Sequence, residues 1–347
     1  MELQPKHIQA PQIYGDFWFN SEPVSIRDRQ GSNVFLIDFW DYSCISCLRT
    51  LPYIKDWQRK YQDFGLTVVG VHTPEYKFSH SPDVIQRSLK NLGVEYPVVS
   101  DNEAVVWNAY GIRFWPTRVL VDVDGYVRFM QHGETGYHEF ERAIQQLLVE
   151  AGYRGELPDL TKPMRDTDEP GAALYQSTRE MHLGYLKGTI GNPEGFSIES
   201  TAEYSDQGMH LPERFYANGK WMSEKDFICF KGLAGEQGTI AFLYEAREVN
   251  AVINSKDGSR FEVTVTQDEK NLTERNAGLD VVLKNPDKSV VYVDTPGLYR
   301  LVKNPDFQSH SLKLTVKNPG IEIYAFSFVT AAIPDVVPSR TEPFGLN

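Results

Sequence analysis

The hydrophobic positions follow one rhythm in the first part of the chain and another after it. Val34–Trp40 and Leu66–Val71 are short continuous apolar runs, the pattern of strands covered on both faces. Between them Leu48, Leu51, Ile54 and Trp57 keep helical spacing, so a helix is predicted there, with Pro52 expected to kink it. A second helix is predicted over Ser81–Leu92, with Pro82 in its first turn. Val98-Val99, the short helix Glu103–Tyr110, a hairpin over Arg118–Met130 turned on Asp124-Gly125, and a helix over Tyr137–Val149 complete this part. Before it, Tyr14–Arg27 alternates apolar and polar residues around Asn20-Ser21-Glu22-Pro23, which predicts an opening hairpin.

From Gly152 to Pro170 periodicity stops and Gly, Pro, Asp and Lys accumulate, the composition of a linker. Beyond it only short β runs occur: Thr239–Tyr244, Glu248–Ile253, Arg260–Thr266, Ser289–Val293, Tyr299–Val302, Leu312–Val316 and Ile321–Val329. The division expected is an α/β unit over 1–152 with a mixed central sheet flanked by helices, a linker over 153–171, an all-β sandwich of jelly-roll type over 172–330, and a loosely attached tail over 331–347. A chain of 347 residues suits two cores better than one. No internal repeat or low-complexity block interrupts either part.

Composition narrows the function. Acidic residues outnumber basic ones, 47 to 35, for a formal charge of -12, which disfavours nucleic acid and anionic membrane as partners. The amino terminus shows no basic stretch followed by an apolar one, and no run approaches membrane-spanning length. A cytoplasmic location follows if Met1 is the native start, an extracytoplasmic one if the chain is an excised soluble region.

Cys44-Ile45-Ser46-Cys47 follows directly on the first strand run. A C-x-x-C that opens a helix places its first sulfur among unpaired N–H groups at the positive end of the dipole, and keeps the second within attacking distance. Cys44 is thus the candidate nucleophile and Cys47 the resolving thiol. A structural zinc site needs about four ligands, and the chain offers only Cys229 besides this pair and no closely spaced histidines. No metal or cofactor is expected beyond a redox-active Cys44–Cys47 disulfide. Cys229, in Phe227-Ile228-Cys229-Phe230, reads as a buried apolar thiol. Asp38, inside the apolar strand six residues before Cys44, is costly there unless used, and burial would raise its pKa toward the working range.

Trp40-Asp41-Tyr42-Ser43-Cys44-Ile45-Ser46-Cys47, then Gly70-Val71-His72-Thr73-Pro74-Glu75-Tyr76, then Trp115-Pro116 occur in this order. With them the region from Ile13 to Gly152 resembles a thioredoxin-like domain of the TlpA/ResA branch, and more closely the soluble carboxy-terminal region of DipZ-type proteins, whose second domain is similar to carbohydrate-binding modules. The resemblance implies a thiol–disulfide oxidoreductase of the AhpC/TSA-redoxin superfamily. It implies a cis peptide bond before Pro116, with backbone groups that pair an incoming chain beside Cys44. Asp38 would be the acid that takes the Cys47 proton, while Trp115, Trp40, Tyr42 and Glu75 would contact substrate. Substrates would be protein or small-molecule disulfides, with electrons from a thiol reductant or a membrane donor of CcdA type. The branch often carries a glutamate three residues after its second cysteine; here that position is Thr50, which shifts weight to Asp38 or Glu75. Ile45 and Ser46 supply neither a base nor proline, leaving the helix end and Arg49 to stabilise a thiolate, so a reductive role is favoured over an oxidising one.

Other readings stay open. His132 echoes the distant histidine of copper-binding Sco proteins, but those use C-x-x-x-C, and a histidine at a strand end is ordinary surface. A peroxiredoxin-like peroxidase would want Pro, Thr and Arg near its cysteine, where this chain has Trp40-Asp41-Tyr42-Ser43. In the second part, Tyr204, Phe215, Tyr216, Trp221 and Tyr244 could offer stacking faces for a glycan, or simply fill a β core. Trp221, beside Asn218-Gly219-Lys220, is the expected exposed member, with Tyr216 its companion. That platform would support a glycan- or protein-binding protein whose redox part is a sensor or anchor.

Overall fold

The structure, a computed structural model, describes residues 3–233, 235–255, 258–284 and 288–334. The first part is a six-stranded mixed sheet in the order β1-β4-β3-β2-β5-β6: β1 (Trp18–Phe19), β2 (Val34–Trp40), β3 (Leu66–His72), β4 (Val98–Ser100), β5 (Thr117–Val121) and β6 (Val127–His132). β2 runs parallel to β3 and antiparallel to β5. Leu36 and Trp40 of β2 pack in one layer with α1 (Ile45–Tyr61) and α4 (Tyr137–Glu150). Phe35, Ile37 and Phe39 pack in the other with α3 (Val105–Ala109). Every residue of β2 and β3 is buried, which is why these strands read as unbroken apolar runs. Gly70 of β3 leaves room for the Trp40 indole: a Cβ there would lie 2.9 Å from its Nε1.

The remaining helix, α2 (Pro82–Leu92), starts on Pro82 and ends on left-handed Gly93. The opening hairpin does not form. Trp18 and Phe19 pair instead with Val99 and Val98 at the sheet edge, and the Asn20 amide donates to the carbonyls of Val94 and Tyr96. An edge strand with a buried face was a better partner for that segment than its own continuation.

The stretch predicted as a linker lies against α1 and α4. Glu141 of α4, buried, accepts from the Thr161 N–H and the Tyr61 hydroxyl at 2.7 Å each. Tyr53 donates to Asp168 at 2.7 Å, and Arg165 donates to the Arg49 carbonyl at 2.9 Å.

An all-β antiparallel domain follows: β7 (Met181–His182), β8 (Thr201–Tyr204), β9 (Phe215–Ser223), β10 (Ile228–Phe230), β11 (Gly238–Ser255), β12 (Phe261–Gln267), β13 (Lys270–Asn271), β14 (Val281–Leu283), β15 (Ser289–Val293), β16 (Gly297–Val316) and β17 (Ile321–Val329). Two pairs of expected strands are each one long strand. Thr239–Tyr244 and Glu248–Ile253 join in β11, which bends through a register shift between Ala246 and Glu248, and Tyr299–Val302 and Leu312–Val316 join in β16. Polar residues at the bend look like a turn in sequence, yet a β-bulge carries the strand through. β11 pairs with β9 along its first half and β17 along its second, so the path closes through β10 around one apolar core. Cys229 is buried there. Of the expected tail, 335–347 lie outside the described residues, while Ile333 donates to the Ala173 carbonyl at 2.8 Å.

The two parts meet on an aromatic seat. Tyr324 of β17 packs edge-on against Tyr76 and Phe78, ring centres 5.0 and 5.1 Å away, with Phe227 at 4.8 Å. No helix among the described residues is long and apolar enough to cross a membrane.

Candidate active site around the dithiol

β2 ends at Trp40, and the next three residues turn the chain into α1, of which Cys44 is the N-cap. Asp41 organises this turn. It is fully buried, and its Oδ1 accepts from the Ser43 N–H at 2.7 Å and the Ser43 hydroxyl at 2.8 Å. Its Oδ2 accepts from the Glu75 N–H at 2.7 Å, which ties the dithiol loop to the loop that leaves β3.

Both cysteines are free thiols, Cys44 half-buried and Cys47 buried. The Cys47 N–H donates to Cys44 Sγ at 3.2 Å, as expected of a sulfur at a helix start. The surroundings oppose ionisation all the same. Desolvation raises the Cys44 pKa, hydrogen bonds from Cys47 pull it back, and the charges of Asp41 and Glu75 add to the rise. Cys47, sealed beneath, is pushed well above the ordinary thiol value, first by burial. Arg49 gives Cys44 no help, since its guanidinium pairs with Glu134 and donates to Thr167.

Asp38 sits in β2 opposite Gly70 on one side and Arg118 of β5 on the other. It is 3% exposed, and burial pushes its carboxyl up to about 7 against the pull of Arg118. Arg118 is itself fully buried, donating to the carbonyls of Gly133 at 3.1 Å and Thr135 at 2.6 Å, with its guanidinium 4.8 Å from the Tyr137 ring centre. His72, at the end of β3, is buried without a hydrogen bond to either ring nitrogen, stacked on Tyr42 with ring centres 5.5 Å apart. Burial lowers its pKa against the pull of Asp41, 3.8 Å from its Nε2.

Cys44 opens on a cleft of about 360 Å³ built by both domains. The first contributes Ile45, Ser46, Glu75 and Arg113-Phe114-Trp115; the second contributes Glu180, His182, Lys187, Ser327 and Phe328. β7 pairs with β17 there, setting His182 opposite Ala325. Glu75 is largely buried, its carboxyl held above the usual range by desolvation and then by Glu180, with Lys187 Nζ at 3.6 Å pulling the other way.

Several expected contacts are relocated. Trp40 and Tyr42 are interior, 1% and 5% exposed, so they form the wall behind the dithiol and do not reach a substrate. Trp40 packs in the layer with α1, and Tyr42, in the turn after β2, is stacked on His72 with the Phe78 ring 6.4 Å away. Trp115 does line the cleft, anchored by its Nε1 donating to the Thr73 carbonyl at 3.0 Å. The Trp115–Pro116 bond is cis, and the Pro116 carbonyl already accepts the Gly133 N–H at 2.8 Å. Thr50 is buried and bonded to the Tyr137 hydroxyl at 3.1 Å. His132 is exposed, its ring bonded to the Thr117 hydroxyl at 3.0 Å.

The expected glycan platform is absent at its named residues. Trp221 is fully buried against Phe230, its Nε1 donating to the Asn218 carbonyl at 2.9 Å. Tyr216 is 6% exposed, its hydroxyl accepting from the Leu211 N–H. Tyr204, Phe215 and Tyr244 belong to the same core. Asn218-Gly219-Lys220 looks like a loop in sequence, but it lies within β9 and carries Trp221 inward. Asp41, His72, Arg118 and the second-domain wall were not anticipated. Arg118, a charge within an apolar strand, carried the same signal as Asp38; the wall carried none.

Residues 9–130 match the model of the AhpC/TSA family, and residues 178–328 match that of the thioredoxin-like C-terminal domain. Protein DipZ of Mycobacterium tuberculosis is 30% identical over 325 residues, 92% of this chain but 42% of DipZ, so the chain spans less than half the length of that relative. The thiol-disulfide oxidoreductase ResA of Halalkalibacterium halodurans is 30% identical over 130 residues, 38% of this chain and 70% of ResA. The solution structure of a thioredoxin-like protein in its oxidised form aligns with a TM-score of 0.39 at 27% identity, covering 42% of this chain and 99% of that one.

Proposed function

This chain belongs to the AhpC/TSA family through its thioredoxin-like domain, and on that basis we propose that it is a thiol–disulfide oxidoreductase working through Cys44 and Cys47. The observation that carries the reading is the pair's arrangement: Cys44 Sγ at the start of α1, bonded to the Cys47 N–H and open to the cleft, with Cys47 sealed one turn below.

The Cys44 thiolate attacks one sulfur of a substrate disulfide, forming a mixed disulfide and expelling the other sulfur as a thiolate that takes up a proton. The Cys47 thiolate, its proton passed toward Asp38, then attacks Cys44 Sγ and releases the second substrate thiol. Two electrons and two protons move to the substrate, and the protein retains a Cys44–Cys47 disulfide. A dithiol reductant, or a membrane electron donor of CcdA type, restores the dithiol.

The direction favoured is reductive. Burial, Asp41 and Glu75 all disfavour the Cys44 thiolate, whereas a strong oxidant depends on a stabilised thiolate. The pair's potential should lie nearer about −270 mV than the roughly −120 mV of strong oxidants. The glycan-binding reading loses its support with the burial of Trp221 and Tyr216.

In a Cys47→Ala protein, mass spectrometry after exposure to a disulfide should find the adduct on Cys44. An adduct confined to another residue, or none with any disulfide, would sink the assignment. Insulin reduction driven by dithiothreitol provides the turnover assay.

A further inference from the structure

The contact between the two domains is not sealed like a core. Its apolar part is the seat, where Tyr324, Ala325 and Val252 pack with Tyr76. One row further along the same face the pattern breaks. Ala251 and Phe326 belong to the β core, so Asn250 and Ser327, which stand opposite each other in β11 and β17, face the first domain as Val252 and Ala325 do. Asn250 is fully buried, yet neither its amide nitrogen nor its amide oxygen has a hydrogen-bond partner. The buried hydroxyls of Ser327, and of Tyr76 in the seat, are likewise unpaired. Water would reach these groups if the two faces parted, so closure carries a cost that a row of apolar side chains would not. Among the described residues, the one ion pair joining 3–152 directly to 172–334 is Lys187 with Glu75 at 3.6 Å, and the lysine side chain is more than half exposed.

The connection between the domains has a place to bend. Asp168 is held to the first domain by the Tyr53 hydroxyl at 2.7 Å, and the Ala173 carbonyl to the second by the Ile333 N–H at 2.8 Å. Residues 169–172, between these anchors, form a local turn in which the Ala172 N–H donates to the Glu169 carbonyl at 3.0 Å and Gly171 has a φ of 82°. A short turn on a left-handed glycine can absorb the dihedral change of a domain rotation.

We propose that the second domain is a lid hinged at residues 169–172: closed, it admits small or extended disulfides to Cys44, and lifted off the Tyr76–Tyr324 seat it admits bulky protein substrates. This rests on the thiol–disulfide reading above and adds how its substrates are selected. The apolar seat favours the closed form, and the unpaired Asn250, Ser327 and Tyr76 groups oppose it, which keeps the open form within reach.

Opening can be read without turnover in Cys47→Ala proteins, Cys229 being buried. Alkylation of Cys44 by N-ethylmaleimide is compared with alkylation by a maleimide carrying a long polyethylene glycol chain, each rate normalised to that with free cysteine. Asn250→Val removes the unpaired amide, so the bulky-to-small ratio should fall about tenfold. Tyr324→Ala empties the seat, so the ratio should rise. Misfolding would raise the ratio in either variant, so the fall in Asn250→Val cannot come from it. In proteins that keep Cys47, the rate with insulin relative to that with 2-hydroxyethyl disulfide should move the same way. A ratio unchanged in both variants, or a rise in Asn250→Val, would overturn the lid while leaving the thiol–disulfide reading standing. The expected alkylation ratios in a protein that reduces neither disulfide, and forms no adduct with either on Cys44, would overturn that reading and uphold the lid.

Discussion

Asp38→Asn removes an ionisation while keeping the side chain's size. Asp38 is buried beside Arg118 in the strand register, its Oδ1 has no hydrogen-bond partner, and burial moves its carboxyl from 3.8 to about 7. In the unfolded chain it loses its proton near the ordinary value, so between about pH 4 and pH 7 the folded state holds a proton that the unfolded state has released. Stability therefore falls as pH rises through this window, and the loss is complete above the folded-state pKa. A span of about three pH units at about 1.4 kcal/mol each amounts to about 4 kcal/mol. Asn carries no such dependence. The variant should match the parent protein near pH 4, gain steadily to pH 7, and stay about 4 kcal/mol more stable beyond it. Urea unfolding of the reduced proteins, followed by tryptophan fluorescence at about pH 4, 5.5, 7 and 8.5, measures this. An equal stability difference at the two ends of that range would refute the assignment of a buried, proton-holding Asp38.

Arg118→Met removes the donors to the Gly133 and Thr135 carbonyls and the positive charge that restrains Asp38. It should cost roughly 3 kcal/mol at about pH 8.5 by the same unfolding assay, with a smaller loss at about pH 5, where Asp38 is already protonated. Asp41→Asn takes away a negative charge that raises the Cys44 pKa, so the pH midpoint of Cys44 alkylation by iodoacetamide should fall; an unchanged or higher midpoint would show that Asp41 acts through hydrogen bonds alone. Trp221→Ala should destabilise the β domain by about 3 to 5 kcal/mol in thermal or urea unfolding, as truncating a fully buried ring does, rather than remove a surface ligand contact from an intact fold.

How far the sequence could be read depended on how local the causes were. β2 matches its apolar run residue for residue, and α4 ends one residue from expectation, because burial on both faces and amphipathic spacing are written in adjacent positions. The dithiol, its place at a helix start and the buried Asp38 were legible for the same reason. Trp18-Phe19 was misread because its partner, β4, lies some eighty residues away, and alternation alone does not say what a strand pairs with. Trp221 was misread because Asn218-Gly219-Lys220 has turn composition while neighbouring strands hold it in register. Glu180, His182 and Lys187 could not have been assigned to the site at all, since only the docking of one domain on the other brings them to Cys44.

That docking also bears on which substrates can reach the sulfur. In an uncovered thioredoxin-like domain the nucleophile faces solvent, and a folded protein can present a disulfide to it across a broad surface. Here Tyr324 is seated on Tyr76 and Phe78, and the same strand carries Ser327 and Phe328 over the dithiol. The seat's cluster, in which Val252 and Ala325 join Tyr76 and Tyr324, is apolar and buried, and the fastened segment from Thr161 to Asp168 leaves little slack between the domains. A cover held this way turns an open surface into a recess of about 360 Å³. If the chain exchanges disulfides as proposed, such a recess would favour small or extended disulfides over broad contact with a folded partner. The cover adds to the desolvation of Cys44, beside which the first domain itself sets Asp41 and Glu75, and together these leave a dithiol at a helix start without an easily ionised nucleophile.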